Sequence, residues 1–238
     1  MLPIVDVIIP ALNEAESLPK VLADLPCSSI RQVIVVDNGS TDETAEVARS
    51  AGAIVLLESQ RGYGAACLRG IAHALGQKVQ PDVLAFLDGD FSDDPRQLTD
   101  LLAPLASGEA DLVLGSRVLG TRHPKSLTWQ QRFGNALATF LIDVLYGHKY
   151  SDLGPFRAIT RKAYLQLDMA DQNYGWTVEM QIKAIRLGLR VVEIPVDYRA
   201  RSGGTSKVSG TLRGTFGAGY KILKTIFIYH WVSRKLKP

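Results

Sequence analysis

The sequence contains few residues of the kinds that cross-link a chain, bind zinc or cross a membrane. Two cysteines and four histidines occur in 238 residues. Cys27 and Cys67 lie far apart and outside any Cys-x-x-Cys pattern, and the histidines lack metal-ligand spacing, which excludes a disulfide framework and a zinc site. Isolated cysteines suit a reducing compartment, so we predict a cytoplasmic protein.

Long apolar runs and a strong net charge are also absent. No apolar run approaches the roughly 20 residues that a bilayer-spanning helix needs. The start, MLPIVDVIIPALNE, lacks the basic region and the cleavage site of a signal peptide. The net charge of +3 is too small for a dedicated nucleic-acid binder. We therefore predict no membrane-spanning segment and no nucleic-acid partner.

Short apolar runs alternate with helical patterns over the first half of the chain. The length and the 46% hydrophobic content fit one globular domain, or one domain with an appendage. Five β-branched or leucine-rich runs are typical of strands buried on both faces. They are VDVII, QVIVVD, AIVLLE, DVLAFLD and DLVLG. The helical periodicity between them predicts an α/β fold with a mainly parallel sheet flanked by helices.

Helix signals complete this outline. Ser40 with Glu43 predicts a capping box, and Asp94 before Pro95 predicts an N-cap followed by proline at the first helical position. Beyond residue 116 the pattern predicts a helix in WQQRFGNALATFLIDVLYG, a glycine and proline turn, a helix in WTVEMQIKAIRLG and strands in RVVEIPVDYRA. We predict a main domain over residues 1–210 and a C-terminal amphipathic helix with a basic tail over residues 211–238.

Polar, glycine-rich segments follow four of the predicted strands. They are PALNE at 10–14, DNGSTD at 37–42, QRGYGAA at 60–66 and DGDFSDD at 88–94. One such segment alone is as often a solvated turn. Ligands of open parallel sheets bind beyond the carboxyl ends of the strands, so four such segments together predict a ligand site at this edge.

The segment DGDFSDD contains four aspartates, and two of them suit a metal ion. Asp88 and Asp90 project to the same side of an extended segment, and Gly89 between them allows close approach to the backbone. Carboxylates held so close are stabilised by a cation, and oxygen ligands at a phosphate site suit Mg²⁺ or Mn²⁺. Helix capping explains Asp94. The pair therefore predicts a metal-bound phosphate ligand.

Together these motifs resemble those of family 2 glycosyltransferases with the GT-A fold, and most closely the dolichol-phosphate mannose or glucose synthases. The similarity lies in VIIPALNEAESL, VVDNGSTDETAEVA, RGYGAA, FLDGDFSDDP and LGSR, and weaker matches continue to about residue 208. The resemblance implies a metal-dependent, inverting transfer of a hexose from a nucleotide diphosphate sugar, UDP- or GDP-linked, to a polyprenyl phosphate.

The resemblance also implies a set of site residues. Glu14 and Asp37 match family positions that contact the nucleotide base and ribose. The implied nucleotide-sugar site comprises Pro10, Ala11, Leu12, Asn13, Glu14, Val36, Asp37, Gly39, Gly62, Gly64, Asp88 and Gly89. The implied metal ligands are Asp88, Asp90 and Ser92, where Ser92 replaces a glutamine that is common in the family. The implied catalytic residues are Asp90, Arg117, Arg132, Arg201 and Lys207.

The arginines bear on the acceptor. A phosphate acceptor already has an anionic oxygen, so it needs cations that hold it in line rather than a general base. Arg201 and Lys207 resemble the family's phosphate-binding segment, and Arg117 and Arg132 align with its acceptor-side arginines. A surface ion pair is the ordinary explanation of an isolated arginine. Arg157, in SDLGPFRAITR, is a weaker match because a proline interrupts the family pattern.

Other functions stay open on the sequence. A transferase for a hydroxyl acceptor needs a base, for which Glu179, Asp93 and Asp94 are candidates, although we favour Glu179 as an acid that orients the arginines. A nucleotide-binding module would bind donor without releasing sugar. A dinucleotide-dependent oxidoreductase is disfavoured because no Gly-x-Gly-x-x-Gly follows the first strand. Trp176 and Tyr174 are predicted core aromatics, with stacking on a sugar or lipid as the alternative.

The C-terminal stretch ILKTIFIYHWVSRKLKP combines apolar area with cations. This combination predicts contact with an anionic membrane surface, which places the protein peripherally on the cytoplasmic face of the membrane. A terminal helix packed on the domain, followed by a solvated tail, explains the same pattern.

Overall fold

Seven strands form one sheet within the part of the chain that the structure describes. The structure is a computed structural model, and it describes residues 3–26, 28, 30–123, 126–203 and 212–235. The strands are β1 Val5–Ala11, β2 Ile30–Asp37, β3 Ile54–Leu57, β4 Val83–Phe86, β5 Leu112–Ser116, β6 Arg157–Thr160 and β7 Val191–Pro195. The helices are α1 Leu18–Asp24, α2 Thr44–Ser50, α3 Tyr63–Leu75, α4 Leu98–Ala106, α5 Trp129–Tyr146, α6 Arg161–Leu167, α7 Trp176–Arg186 and α8 Leu212–Lys235, with a 3₁₀ helix η1 at Pro95–Gln97.

The sheet is parallel except for one inserted strand, which confirms the predicted fold class. Its order is β3-β2-β1-β4-β6-β5-β7, and β6 runs antiparallel to both β4 and β5. The prediction of only a turn between α5 and α7 missed β6 and α6. Arg157 of β6 is fully buried and pairs with Phe86 of β4. A charged residue within a four-residue strand hides the apolar run that indicates a buried strand.

Apolar side chains from both faces of the sheet form two core layers. Ile8 packs in the layer with α3, α5 and α7, whereas Val7 and Ile9 pack in the layer with α1 and α4. Because consecutive side chains alternate between the layers, a strand covered on both faces is apolar at most positions. Each such side chain contributes about 1.5–3 kcal/mol when fully buried. The five strands predicted from continuous apolar runs are accordingly confirmed.

One of the two predicted helix starts is confirmed. Asp94 Oδ1 accepts the backbone N–H of Arg96 at 3.2 Å, and proline opens η1. The predicted capping box at Ser40 is wrong, since α2 begins at Thr44 and no side chain caps it. Ser40 Oγ instead accepts the backbone N–H of Asn13 at 2.9 Å. The motif therefore joins the ends of β1 and β2 and does not start a helix.

The C-terminal helix packs against two earlier helices. α8 contacts α5 and α7, and Tyr146 Oη donates to the Ile226 carbonyl at 2.6 Å. Ile226 is buried, whereas Phe227, Ile228 and Trp231 are exposed. No helix of the described residues has both the length and the hydropathy that crossing a membrane requires. The division of the chain at residue 210 stays a prediction.

Candidate active site

A cavity of about 370 Å³ lies beyond the carboxyl ends of β1, β2 and β4, beside the first turn of α3. Ligands of open parallel sheets bind at this edge. The predicted nucleotide-sugar residues that line the cavity are Pro10, Ala11, Leu12, Glu14, Gly62, Asp88 and Gly89. Asp90 and Arg201 line it as well. The fold thus brings together residues that are nearly 200 positions apart in the chain, as Arg201 and Glu14 are hydrogen-bonded over 187 positions.

Asn38 fixes one wall of this cavity. Its buried side chain donates to the carbonyls of Glu58 and Gln60 at 3.0 and 2.7 Å and accepts the Gly62 N–H at 2.8 Å. These bonds tie the end of β2 to the segment that leads into α3. Its neighbour Asp37 is a predicted site residue and Asn38 is not, although an asparagine side chain in a turn commonly bonds the backbone.

Five predicted nucleotide-sugar residues do not line the cavity, namely Asn13, Val36, Asp37, Gly39 and Gly64. Val36 lies fully buried in the core layer next to α3. Asp37 Oδ1 accepts the Ser40 N–H at 2.8 Å, and Asn13 Oδ1 accepts the Thr41 N–H at 2.7 Å. In the structure, Asp37 and Asn13 therefore hold the turn after β2 in place behind the lining residues.

Asp88 and Asp90 form the acidic part of the lining. Asp88 Oδ1 is buried and has no hydrogen-bond partner within the described chain. Burial and then the neighbouring Asp90 carboxylate raise the pKa of Asp88 to about 7. Asp90 Oδ1 accepts the Ser92 N–H at 2.9 Å, and Asp90 Oδ2 lies 3.4 Å from Arg201 Nη1. Two buried carboxylates in this arrangement need a nearby positive charge if both are to ionise.

Arg201 provides positive charge at this point. Its Nη2 donates to Glu14 Oε1, while Glu14 Oε2 accepts the Ser17 hydroxyl at 2.9 Å. Burial raises the pKa of Glu14, and the hydrogen bond from Arg201 opposes that rise. A guanidinium placed between Glu14 and Asp90 can also bind phosphate oxygens in a bidentate manner. Lys207, predicted to act with Arg201, lies outside the described residues.

The acid pair fits a divalent cation that shares its coordination with phosphate. No group of three or more His, Cys, Asp or Glu side chains suited to a metal occurs in the described ranges. Mg²⁺ at a phosphate site needs only one or two protein carboxylates, because phosphate and water oxygens complete its shell. The unpartnered oxygen of Asp88 offers such a ligand. Ser92, predicted as a third ligand, is 2% exposed and does not line the cavity.

Gly62 and Gly64 permit a close backbone contact with residues 170–174, the 170–174 loop. A Cβ at Gly64 would lie 2.1 Å from the carbonyl oxygen of Asp171. One at Gly62, where φ is +152°, would lie 2.1 Å from that of Gln172. The predicted role of Gly64 in the nucleotide-sugar site is therefore corrected, because this glycine faces the loop and not the cavity.

Gly64→Ala is expected to lower the melting temperature by up to about 8 °C. Alanine is favoured over glycine in a helix by about 1 kcal/mol. Overpacking costs about 1–3 kcal/mol, and here the opposing atom is a backbone oxygen at 2.1 Å that no rotamer change can move, so the clash outweighs the helix preference. Each kcal/mol corresponds to about 2–4 °C in a chain of this size. Calorimetry measures the shift.

Gly134→Ala is the matched control for this substitution. Gly134 lies in α5, and a Cβ there would meet nothing within 4 Å. Helix propensity then acts alone, and the melting temperature should rise. Equal shifts for the two variants would contradict the close approach at Gly64.

Six further lining residues are not among the individually predicted site residues. Asn38, Arg61, Tyr63 and Ala66 lie in two of the predicted polar segments, whereas Asn173 and Tyr174 come from a part of the chain without such a segment. Tyr174, interpreted as a core aromatic, lines the cavity through the 170–174 loop. Trp176, given the same interpretation, is fully buried against Phe86, with ring centres 4.9 Å apart. No local signal indicates that the 170–174 loop returns to α3, because that contact is tertiary.

Arg117 lies in a buried ion pair. Its Nε and Nη2 donate to Asp152 Oδ2 and Oδ1 at 2.7 and 2.8 Å, and its guanidinium lies 5.1 Å from the ring centre of Tyr198. Its side chain is 14% exposed. Because two of its side-chain nitrogens are committed to Asp152, a phosphate contact by Arg117 requires its remaining Nη1.

Arg132 lines a second cavity, of about 480 Å³, at the start of α5. Arg122, Trp129 and Phe133 line the same cavity. Neither Arg122 nor Arg132 has an ion pair with another described residue. The structure therefore separates Arg132 from the cavity that holds Asp88 and Arg201.

The favoured interpretation of Glu179 is wrong. Glu179 is fully buried, and its carboxylate accepts from Lys183 Nζ at 2.8 Å and Tyr229 Oη at 2.6 Å. Among the described residues it pairs with no arginine, and it does not line the cavity. Arg157, the weaker match, donates to the Thr177 carbonyl at 3.0 Å and is fully buried in the core of the sheet.

A mainly parallel sheet with an acid pair and an arginine beyond its central strands defines an α/β glycosyltransferase of the GT-A type. The chain belongs to glycosyltransferase family 2, because residues 6–167 match the model described as Glycosyl transferase family 2. An uncharacterized glycosyltransferase of Mycobacterium tuberculosis is 40% identical over 224 residues, which cover 93% of this chain and 97% of that protein. The undecaprenyl-phosphate mannosyltransferase of Micrococcus luteus is 33% identical over 224 residues, 87% of this chain and 88% of that protein.

Solved structures support the same fold. Glucosyl-3-phosphoglycerate synthase from Mycobacterium tuberculosis, crystallised with Mn²⁺, UDP-glucose and phosphoglyceric acid, has a TM-score of 0.77 to this chain. The match covers 96% of this chain and 80% of that one at 23% identity. At this identity the likeness concerns the fold alone.

Proposed function

We propose that the chain transfers a hexose, with inversion, from a UDP- or GDP-linked sugar to a polyprenyl phosphate. The observation that carries the proposal is a pair of cavities, one lined by two carboxylates and the other by arginines that have no ion pair with another described residue and lie among aromatic side chains. The relative from Micrococcus luteus, whose name gives undecaprenyl phosphate as its acceptor, supports the acceptor. The structural neighbour with phosphoglyceric acid supports a donor bound with Mn²⁺.

The first cavity is the donor site in this proposal. Asp88 and Asp90 hold Mg²⁺ or Mn²⁺, and Arg201 and Glu14 lie beside them. A bound divalent ion supplies Lewis-acid stabilisation of the charge that develops on the departing nucleoside diphosphate. Arg201 neutralises the acids in the free protein, and its guanidinium is well placed to turn to the diphosphate when the donor enters.

The second cavity is the acceptor site. A lipid phosphate needs a cation for its head and apolar contact for its chain. Arg122 and Arg132 offer the cations, while Trp129 and Phe133, 72% and 63% exposed, offer apolar surface. Exposed aromatic area of this kind in a helix normally has a partner. The phosphate head is thus expected at the arginines and the first isoprenes along α5.

A short chain of contacts joins the two cavities. Tyr198 forms β-bridges with Asp93 on one side and Arg122 on the other, and Arg117 lies over its ring. Asp93 follows the acid pair by three residues. A phosphate held at Arg122 would therefore be linked through Tyr198 to the segment of the acid pair, and Arg117 contacts the same tyrosine.

Helix faces favour delivery of the acceptor from a membrane surface. On α5 the exposed residues Trp129, Phe133, Phe140 and Val144 recur at helical spacing, so they share one face. The adjacent α8 exposes Phe227, Ile228 and Trp231, which also recur at helical spacing. Apolar faces next to Arg132 and the cations of α8 are typical of helices that lie in a lipid headgroup layer. We propose a peripheral membrane contact through α5 and α8.

The hydroxyl-acceptor alternative is less well supported. Asp93 is 2% exposed, and neither of its carboxylate oxygens has a hydrogen-bond partner within the described ranges. It lines neither cavity, so it has no path to an acceptor hydroxyl. Glu179 is saturated by its own partners. A phosphate acceptor requires no base and is consistent with both observations.

A donor and acceptor screen tests this function. With Mn²⁺ and a short polyprenyl phosphate, one UDP- or GDP-hexose should release nucleoside diphosphate. The matched polyprenol, which has a hydroxyl in place of the phosphate, should not support release. Arg132→Gln should raise the KM for the lipid phosphate about tenfold, because a hydrogen bond to a charged group is worth about 1.5–3 kcal/mol.

Each other outcome of the screen rejects a stated part of the proposal. Transfer to hydroxyl acceptors with none to the lipid phosphate rejects the acceptor. Metal-dependent binding of nucleotide without transfer to any acceptor indicates a binding module.

A further inference from the structure

Glu179 is a buried acid that the proposed chemistry does not use. It lies on α7 with no exposed surface. Its carboxylate accepts the backbone N–H groups of Ala170 and Asp171 at 3.0 and 2.7 Å. It also accepts Tyr229 Oη at 2.6 Å and pairs with Lys183 Nζ at 2.8 Å. A carboxylate is costly to bury, and these four donors stabilise the charge in place.

The partners of Glu179 belong to the two elements on either side of it. Ala170 and Asp171 begin the 170–174 loop, whereas Tyr229 belongs to α8. A second ion pair repeats the connection, because Lys221 Nζ of α8 lies 2.9 Å from Asp171 Oδ2. The loop is therefore held to α8 at two points, and Glu179 is the buried one.

The opposite side of the same loop forms part of the donor cavity. The Gln172 carbonyl accepts the Ala65 N–H at 2.9 Å, which joins the loop to the first turn of α3. Asn173 and Tyr174 line the cavity. Because Gly62 and Gly64 have no Cβ, the backbone of the 170–174 loop lies directly against them. A small displacement of the loop must therefore change the cavity wall.

We propose that Glu179 and Tyr229 are positioning residues, which set the 170–174 loop against α3 and so shape the donor site. This inference rests on the proposed donor site. Tyr229 faces inward on α8, while Phe227, Ile228 and Trp231 of the same helix face outward. The position of α8 is thereby connected to the cavity through one hydroxyl and one carboxylate. Asp88 and Asp90 make no contact in this network, so it acts on donor binding and leaves the chemical step unchanged.

Tyr229→Phe tests the proposal, since it removes one hydroxyl and keeps the ring beside Lys183, 5.4 Å away. We expect the KM for the nucleotide sugar to rise about five- to tenfold. The turnover number at saturating donor and the KM for the acceptor should stay within twofold. Calorimetric titration with UDP or GDP and Mn²⁺ should show the same loss of affinity. A role in core packing alone would lower the melting temperature without this split between KM and turnover.

Tyr220→Phe is the matched control. Tyr220 lies on the same helix, is 68% exposed and lies outside the Glu179 network. Its variant should bind donor like the unaltered chain. Lys221→Met, which breaks the second connection to Asp171 near the surface, should raise the donor KM about two- to threefold. This second variant keeps the proposal testable if Tyr229→Phe folds poorly.

Amide hydrogen exchange separates this inference from the proposed function. Exchange of the Ala170, Asp171 and Ala65 amides should be at least tenfold faster in Tyr229→Phe than in Tyr220→Phe. If the unaltered chain binds neither UDP nor GDP, the proposed function fails, and exchange still shows whether Tyr229 holds the loop. Unchanged exchange, or an unchanged donor affinity in a chain that binds donor, overturns the inference.

Discussion

Asp90→Asn is expected to lower turnover about 10²- to 10³-fold and to abolish the Mn²⁺ dependence of nucleotide binding. Asparagine keeps the size of the side chain and one oxygen but loses the charge that, in the proposed function, holds a cation beside Asp88. Lewis-acid stabilisation of a leaving diphosphate is worth several kcal/mol, and each 1.36 kcal/mol is a factor of ten in rate. Transfer assays measure the first effect, and electron paramagnetic resonance of Mn²⁺ in the presence of nucleotide measures the second.

The control for Asp90 is Asp100→Asn, which removes the same charge from an exposed position on α4. Turnover and Mn²⁺ binding should be unchanged in that variant. Full turnover by Asp90→Asn, or Mn²⁺ binding equal to that of the unaltered chain, would show that the acid pair does not hold a metal. The resonance measurement needs no acceptor, so it remains informative even when the acceptor has been chosen wrongly.

The central strands of this fold can be predicted because they are short, rich in β-branched residues and mostly buried on both faces. β1 and β4 are apolar at nearly every position, and so is the second half of β2 up to Val36. β6 cannot be found in this way, since it contains Arg157 and its position between β4 and β5 depends on tertiary pairing. The same reasoning explains the capping box at Ser40. The local pattern is that of a helix start, but the Ser40 hydroxyl accepts the backbone N–H of Asn13, which follows β1.

The candidate site likewise contains residues that the sequence indicates and residues that only the fold brings to the site. Asp88 and Asp90 follow a strand directly, so chain order alone puts them at the ligand edge. The 170–174 loop reaches that edge from far along the sequence, through Glu179 and the space beside Gly64. Of the two glycines in RGYGAA, Gly62 lines the cavity and Gly64 does not, and the sequence contains no sign of the loop that approaches both. The residue types indicate which chemistry the site could perform. Only the fold shows which residues contact one another.

Two arginines form closely similar ion pairs that differ in burial. Comparing them shows how burial changes the contribution of an ion pair to stability. Arg117 donates its backbone N–H, Nε and Nη2 to Asp152 at 2.9, 2.7 and 2.8 Å. Arg190 donates the same three groups to Asp111 at 3.0, 3.0 and 2.8 Å. The side chains of the first pair are 14% and 2% exposed, and those of the second are 57% and 25% exposed. The bonds between each arginine and its aspartate are thus matched, whereas their exposure differs, and Asp152 Oδ1 also accepts the Leu153 N–H at 2.8 Å.

Asp152→Asn is therefore expected to lower the free energy of unfolding by about 3–5 kcal/mol, since it leaves the Arg117 charge buried and unpaired. Asp111→Asn should cost at most about 1 kcal/mol, because water screens the exposed pair.

The buried pair should also depend on pH. Burial raises the pKa of Asp152, but Arg117 outweighs burial and lowers it. The contribution of the pair to stability is therefore present above the ordinary aspartate pKa and is lost as the pH falls through the folded-state value. Urea unfolding at pH 7 measures both variants with the pairs ionised. Equal losses would mean that Arg117 reaches solvent, and its Nη1 would then be more accessible to an acceptor phosphate than the buried pair allows.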